Sequence, residues 1–406
     1  MAVIGSVLVA TNQVDFHYMI KIVEDKYKIW AWVGVMYSII IMPLSMIFLN
    51  YFLGIKNIKE NLNKYINSPI NINIGTNLSN IILGSATILS IIVIYYVFQA
   101  NNHVPLFTLI KGDLHQAAIE RIEVRREFGG IIYIKNLLGL ILMPVFSYYS
   151  FILWREKKGI IKFIFFIILN ILTILLLAYD TQKSPVVFFI FGYLILFTFL
   201  TRGISIRKFL LFICIGILLI TTAYSITGGR GIEQLLDIKS AFYGRLFVSG
   251  YGGYVLSLKL FPDIITQSTW YIGIPEAFLN FFNLENTESA RLLMMHINPE
   301  GVAEGTSNLV SSYYLGEAYA NYGILGLLIA PIVVGFVIQI VHILLLKNKK
   351  DPLFLSFYAF ITVRWLLNAG FVSFLYLKII LYPLFFLLLI KLIINTIPNK
   401  KQNKIK

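Results

Sequence analysis

Residues 161–179 read IKFIFFIILNILTILLLAY, an apolar run whose only charge, Lys162, stands at its start. A helix rises 1.5 Å per residue and needs about 20 such positions to cross roughly 30 Å of hydrocarbon, so this run predicts a membrane span. Arg155, Lys157 and Lys158 precede it. The short turn Asp180-Thr181-Gln182-Lys183-Ser184-Pro185 follows it, and a second apolar run, 185–201, then ends against Arg202, Arg207 and Lys208. Two apolar runs joined by a tight turn, with lysine and arginine gathered at both far ends, predict a hairpin of transmembrane helices.

The same pattern extends along the chain. Apolar runs of comparable length occupy 29–53, 81–99, 131–153, 209–227, 323–346, 353–369 and 371–394. Residues 1–20 begin apolar but carry Asn12, Asp15 and His17, which suits a poor span, a half-helix or an interfacial segment. The predicted fold class is an all-α polytopic membrane protein of about 9–11 transmembrane helices, with one large extracytoplasmic loop carrying short interfacial helices. We read residues 1–406 as a single transmembrane domain that contains this loop, at 228–322. Composition agrees: 58% of residues are hydrophobic, only 13% are charged, and the mean hydropathy is +0.78. A soluble domain is about one quarter charged. The first residues lack the basic stretch of a cleavable signal peptide.

The formal net charge of +14 would suggest nucleic acid in a soluble protein. Here the cations fall in short loops, and no nucleic-acid partner is expected. Lys56, Lys59 and Lys64, the Arg155 and Arg202 clusters, Lys347, Lys349 and Lys350, and the tail with Lys400, Lys401, Lys404 and Lys406 share one side when the spans are threaded in order. That side, with the C-terminus, is predicted to be cytoplasmic. The opposite side receives 100–130, the turn at Asp180–Pro185 and the long connection 228–322. This connection is too apolar for a disordered linker, and pieces such as Ala277–Phe282 are expected to lie at the membrane surface. Asp113 is placed to cap a helix within 112–128, with Ile119, Ile122 and Phe128 as a loose apolar face.

Several chemistries lack their signatures. No Gly-Lys-Ser/Thr phosphate loop and no His-Glu-x-x-His occur, and the five histidines (17, 103, 115, 296 and 342) are scattered. Neither a metal nor any other cofactor is expected. The single cysteine, Cys214, cannot form an internal disulfide. No repeat relates one half of the chain to the other, which weighs against a transporter built from inverted repeats.

Cations in unfavourable places carry the functional signal. Arg364 interrupts Thr362-Val363-Arg364-Trp365-Leu366-Leu367, and Lys378 interrupts Leu375-Tyr376-Leu377-Lys378-Ile379-Ile380. A charge at membrane depth costs about 2.5–3.5 kcal/mol on insertion scales, so each needs a partner or a polar cavity. An ion pair or snorkelling would account for either. If the turn near Asn368–Gly370 is external, both lie toward the side of Lys183, Arg230 and Arg245, with Arg126 and Arg291 on the same side. Such a cluster suits a lipid-linked diphosphate, because the planar guanidinium grips phosphate oxygens in pairs and keeps its charge in low dielectric. In glycosyl transfer the cations would stabilise the departing diphosphate. A carboxylate is then needed to take the acceptor proton. Glu317 is the leading candidate, with Glu304, Glu276 and Asp263 as alternatives and a helix-end hydrogen bond as the plain structural role. Tyr314 and Asn321 flank it as sugar-binding groups.

Four stretches resemble the O-antigen polymerase (Wzy) family of oligosaccharide repeat-unit polymerases. They are Glu123-Val124-Arg125-Arg126-Glu127-Phe128-Gly129-Gly130; the turn Asp180–Pro185; Arg245-Leu246-Phe247 with Gly250–Tyr254 and Phe261-Pro262; and Thr306-Ser307-Asn308 followed by Gly316-Glu317-Ala318-Tyr319-Ala320-Asn321-Tyr322-Gly323 and Gly326. The last is the most specific, and the resemblance covers about residues 115–395. It implies a metal-independent glycosyltransferase at the outer face of a bacterial cytoplasmic membrane. The enzyme would use lipid-linked oligosaccharide embedded among membrane lipids, beside a flippase and a chain-length regulator. The related ligases carry a histidine before the Asn308 position, where this chain has Gly305, Thr306 and Ser307. Ligase-type transfer and a lipid or polysaccharide transporter are the competing readings.

Overall fold

The computed structural model describes residues 2–72, 75–126, 128–201, 203, 205–212, 214, 216, 218, 244–265, 281–282, 284, 288–304, 307, 309–364 and 370–396. All regular structure among them is helical. In chain order the helices are α1 (Ala2–Ala10), α2 (Asp25–Phe52), α3 (Ile58–Asn67), α4 (Thr76–Gln99), α5 (Pro105–Ile110) and α6 (Leu114–Arg126). A π-helical stretch, Ile134–Leu142, runs into α7 (Met143–Lys157), followed by α8 (Ile160–Ala178) and α9 (Lys183–Leu200). A second π-helical stretch, Gly244–Val248, runs into α10 (Ser249–Leu260). Then come α11 (Ser289–Ile297), α12 (Pro299–Ala303), α13 (Tyr313–Lys347), α14 (Pro352–Arg364), α15 (Phe371–Leu375) and α16 (Lys378–Thr396).

Among the described residues, seven segments are long and apolar enough to cross a membrane: α2, α4, Ile134–Lys157, α8, α9, α13 and Phe371–Leu392. The 13-residue α14 is a shorter apolar helix. Their outward surfaces carry the same message. On α8, Ile160, Ile164, Ile167, Ile171 and Ile174 are all exposed, a stripe at alternating spacings of four and three that only lipid would cover favourably. The chain is a polytopic α-helical membrane protein. Eight of the nine predicted runs coincide with these helices. In the ninth, 209–227, residues 206–212 are helical and most of the remainder lies outside the described residues. Residues 1–20 resolve into the nine-residue α1, about 14 Å long and too short to span, followed by turns.

The chain divides into two compact units. The first comprises Met1–Ile58, Gly229–His342 and Trp365–Ile379. At its centre is α10, with Tyr251 and Tyr254 fully buried. Its glycines admit close neighbours: an added Cβ at Gly250 would meet the Tyr313 ring at 2.7 Å, and one at Gly253 would collide with the Ser311 carbonyl. The Tyr251 hydroxyl donates to the Lys28 carbonyl at 3.1 Å, which ties α10 to α2. Farther along α2, Tyr37 donates to the Leu328 carbonyl at 3.0 Å, and Gln339 donates to Asn50 at 2.7 Å, which fixes α13 alongside α2.

The second unit comprises Lys59–Gly228, Ile343–Arg364 and Ile380–Lys406. Its centre is α7, buried continuously from Met143 to Leu153. Ser147 bonds the Leu169 carbonyl at 3.0 Å and Thr173 at 2.7 Å, and the Tyr148 hydroxyl donates to the Phe189 carbonyl at 2.7 Å. Pro144 stands second in α7 and cannot donate to the carbonyl four residues back, and the wide π stretch ends there.

The helix predicted within 112–128 is α6, and Asp113 caps it by accepting the Gln116 N–H at 2.9 Å. Its apolar face is corrected at one position: Ile122 is half-buried and Phe128 packs against the core around Val124 as expected, but Ile119 does not pack inward. Ile119 is exposed, and Ala117, Glu120 and Val124 turn inward instead. Glu120 can do so because Thr108 and Gln116 donate to its two carboxylate oxygens, at 2.6 and 3.3 Å. The tight turn between α8 and α9 is also present. Asp180 accepts the Gln182 N–H at 3.2 Å and the Gln182 side-chain amide, and Thr181 takes a left-handed φ of 57°.

Candidate functional site

Glu317 lies in the first helical turns of α13, ahead of a sharp break. At Gly323 φ is 61° and ψ is −146°, a conformation reserved for glycine, so Tyr313–Tyr322 and the helix beyond are separate rods. The predicted span 323–346 starts at this break. Glu317 is half-buried, and its Oε2 accepts the Val372 N–H at 2.8 Å, at the start of α15. An added Cβ at Gly370 would sit 2.7 Å from the Glu317 carboxyl carbon, so a larger residue there would displace the carboxylate. The carboxylate thus holds the helix-end role that was one reading of it.

Aromatic rings enclose this region. Tyr322 meets Phe371 edge-on at 6.0 Å and hydrogen-bonds to Tyr376. Tyr314 is 2% exposed, with its ring against Phe374 at 6.3 Å and its hydroxyl bonded to Ser38. Asn321 lies one helical turn after Glu317 and on the same face. It is 5% exposed, yet neither its Oδ1 nor its Nδ2 has a partner among the described residues. A buried amide with every bond unmade costs about 1–3 kcal/mol per group, and such a group in a native fold calls for an explanation.

In the second unit, Arg364 ends α14 inside a narrow pocket. The walls are Tyr148, Pro144, Leu140, Leu177, Pro185, Phe188, Phe189, Phe360 and Val363. Its guanidinium stands 5.5 Å from the centre of the Phe360 ring, and no carboxylate pairs with it among the described residues. Lys183 opens α9, two residues before the Pro185 that lines this pocket.

The remaining predicted residues scatter or fall outside the description. Arg245 lies in the π stretch that leads into α10, Arg126 ends α6 and Lys378 opens α16, and the side chains of all three lie outside the described residues. Arg230 and Glu276 lie outside them altogether. Arg291 on α11 is exposed, as are Asp263 and Glu304.

One cluster had no forerunner in the sequence reading. Lys28 is buried and bonds Asp15 at 2.8 Å, Asp25 at 2.9 Å and Asn12 at 3.3 Å. Asn12 and Asp15, polar residues of the N-terminal segment, are therefore explained as partners of this lysine. Their polarity was visible in the sequence, but the partner was not. Comparison with known proteins brought no significant match to a family model, a curated protein or a solved structure.

Proposed function

We propose that this membrane protein polymerises lipid-linked oligosaccharide repeat units, at the face opposite its basic loops. In a bacterial cytoplasmic membrane this would be the outer face. The observation that carries the reading is the pair Glu317 and Asn321. A carboxylate and a buried, unpartnered amide share one face of a helix edged by tyrosines. Sugars offer hydroxyls that such an amide bonds and apolar faces that aromatic rings cover. Tyr314 is already enclosed and serves as a wall, so stacking falls to the half-buried Tyr319 and Tyr322.

In this reading the acceptor hydroxyl attacks the anomeric carbon of the growing chain, and the bond from that carbon to polyprenyl diphosphate breaks. Glu317 takes the hydroxyl proton. The departing diphosphate gains negative charge, and the cations that the sequence pattern nominates to stabilise it are Arg364, Lys183, Arg230, Arg245 and Lys378. Arg364 suits the task because its guanidinium has no carboxylate partner among the described residues and sits in apolar surroundings, where an anion is held strongly.

The test is deletion of the gene followed by gel analysis of surface glycan. Glycan limited to a single repeat on its acceptor supports the proposal. No glycan on the acceptor would indicate ligation, and no surface repeat at all would indicate transport.

A further inference from the structure

A groove of about 670 Å³ opens on the second unit where α7, α8 and α9 converge. Its walls are Phe151, Trp154, Phe163 and Phe197, and Arg155 and Lys158 stand at one end. The rings support one another: Trp154 stacks on Phe166 at 5.2 Å and touches Phe163 at 5.1 Å, and Phe151 meets Phe197 at 5.5 Å. The polar end is less complete. Arg155 Nη2 donates to the Leu200 carbonyl at 3.1 Å, which fixes the guanidinium, while Nη1 is buried and has no partner among the described residues. Lys158 is exposed and left-handed at the close of α7, and Gly159 offers no side-chain cap to the first N–H groups of α8. Two cations and free helix-start amides therefore face the end of an aromatic trough, at the level where the apolar helices begin.

The geometry points to a resident membrane phospholipid with an anionic headgroup. One acyl chain lies along Phe151, Trp154, Phe163 and Phe197, and the phosphate rests on Arg155 and Lys158. Charge complementarity selects the anionic lipid: a fixed guanidinium with an unused N–H matches a phosphate oxygen, and an ammonium beside it matches the net charge. A zwitterionic choline lipid would place its own cation against Lys158. Only the membrane setting is needed for this inference, which is independent of the reaction proposed above.

The experiment is native mass spectrometry of the full chain, purified in detergent and titrated with phosphatidylglycerol or phosphatidylcholine. Phosphatidylglycerol should be retained preferentially. Arg155→Gln and Lys158→Gln should each weaken its retention by about fivefold, the effect expected for one cation near an anionic headgroup. Lys349→Gln, a charge-matched control, should leave retention unchanged. Equal retention of both lipids by the wild type would overturn the inference, as would equal losses in Lys158→Gln and Lys349→Gln. Lys158 is exposed and bonds no side chain among the described residues, so its variant decides the matter even where Arg155→Gln does not fold. Displacement of the lipid by glycerol 3-phosphate alone would reduce the site to an anion pocket and would also overturn it.

Discussion

The centres of the two units make an instructive pair. Both α7 and α10 are buried helices entered through a π-helical stretch. Around α10 the contacts are glycine against backbone and tyrosine against polar atom, and the neighbouring carboxylate, Glu317, is bonded to a backbone N–H. Around α7 ring-on-ring contacts accompany the hydroxyl bonds of Ser147 and Tyr148, and the neighbouring cation, Arg364, has apolar walls. A charge with a fixed hydrogen bond is positioned but already occupied. A charge among hydrocarbons and rings is strained toward any anion that can enter. The carboxylate region therefore reads as pre-arranged by a hydrogen bond, whereas the arginine is set against apolar and aromatic side chains.

The largest effect that would break this contrast is at Arg364. Arg364→Ala should abolish chain growth while the protein stays in the membrane, and Arg364→Lys should be poorly tolerated because an ammonium cannot pair with two phosphate oxygens at once. Glycan ladders beside an immunoblot read both. Normal ladders would remove Arg364 from the site, and a missing protein band would show that its role is structural.

Next comes Glu317→Gln, which keeps the shape but takes no proton. Turnover of purified lipid-linked repeat units should fall about 10²–10⁴-fold. Near-normal turnover would leave Glu317 with its hydrogen bond to Val372 as its whole function.

Asn321→Leu sharpens the comparison further, because stability and activity should part. Removing an unpartnered buried amide should leave the melting temperature in detergent unchanged or higher, while polymerisation falls about tenfold or more. A destabilised protein would mean that the amide has a structural partner instead.

The smallest effect concerns pH. Burial lowers the His17 pKa from its ordinary 6.5, so the folded state binds this proton less readily than the unfolded chain. Stability should be fullest above pH 6.5 and decline as the pH falls below it. The change in melting temperature should be small, because the imidazole is only half-buried. In His17→Gln, melts between pH about 5.5 and 7.5 should lose that component.

The spans were legible because hydropathy acts locally: a run such as 161–179 has only one favourable environment. The break at Gly323 was legible as a boundary for a related reason, since a glycine there ends one pattern and opens another. What stayed hidden depends on partners remote in sequence. Ile119 outranks Glu120 in hydropathy, yet Glu120 is buried because Thr108, twelve residues earlier, supplies a donor. Lys28 similarly needs Asp15 to explain it. In the candidate site the Glu317 segment was found by its residue pattern. Its contact with Val372 crosses fifty-five positions and leaves no trace in either stretch.

The break at Gly323 also bears on how the protein meets membranes of different thickness. Unbroken, the 35-residue helix would be about 52 Å long, far beyond the hydrocarbon core. Divided at Gly323, the rod beyond it measures about 36 Å and fits with a moderate tilt. That rod is bonded to α2 through Tyr37–Leu328 and Gln339–Asn50, so its tilt goes with that of α2. Tyr313–Tyr322 stays clamped by Ser38 and Val372. Glu317 and Asn321 thus stand on a short rod of their own, outside the length that has to match the hydrocarbon.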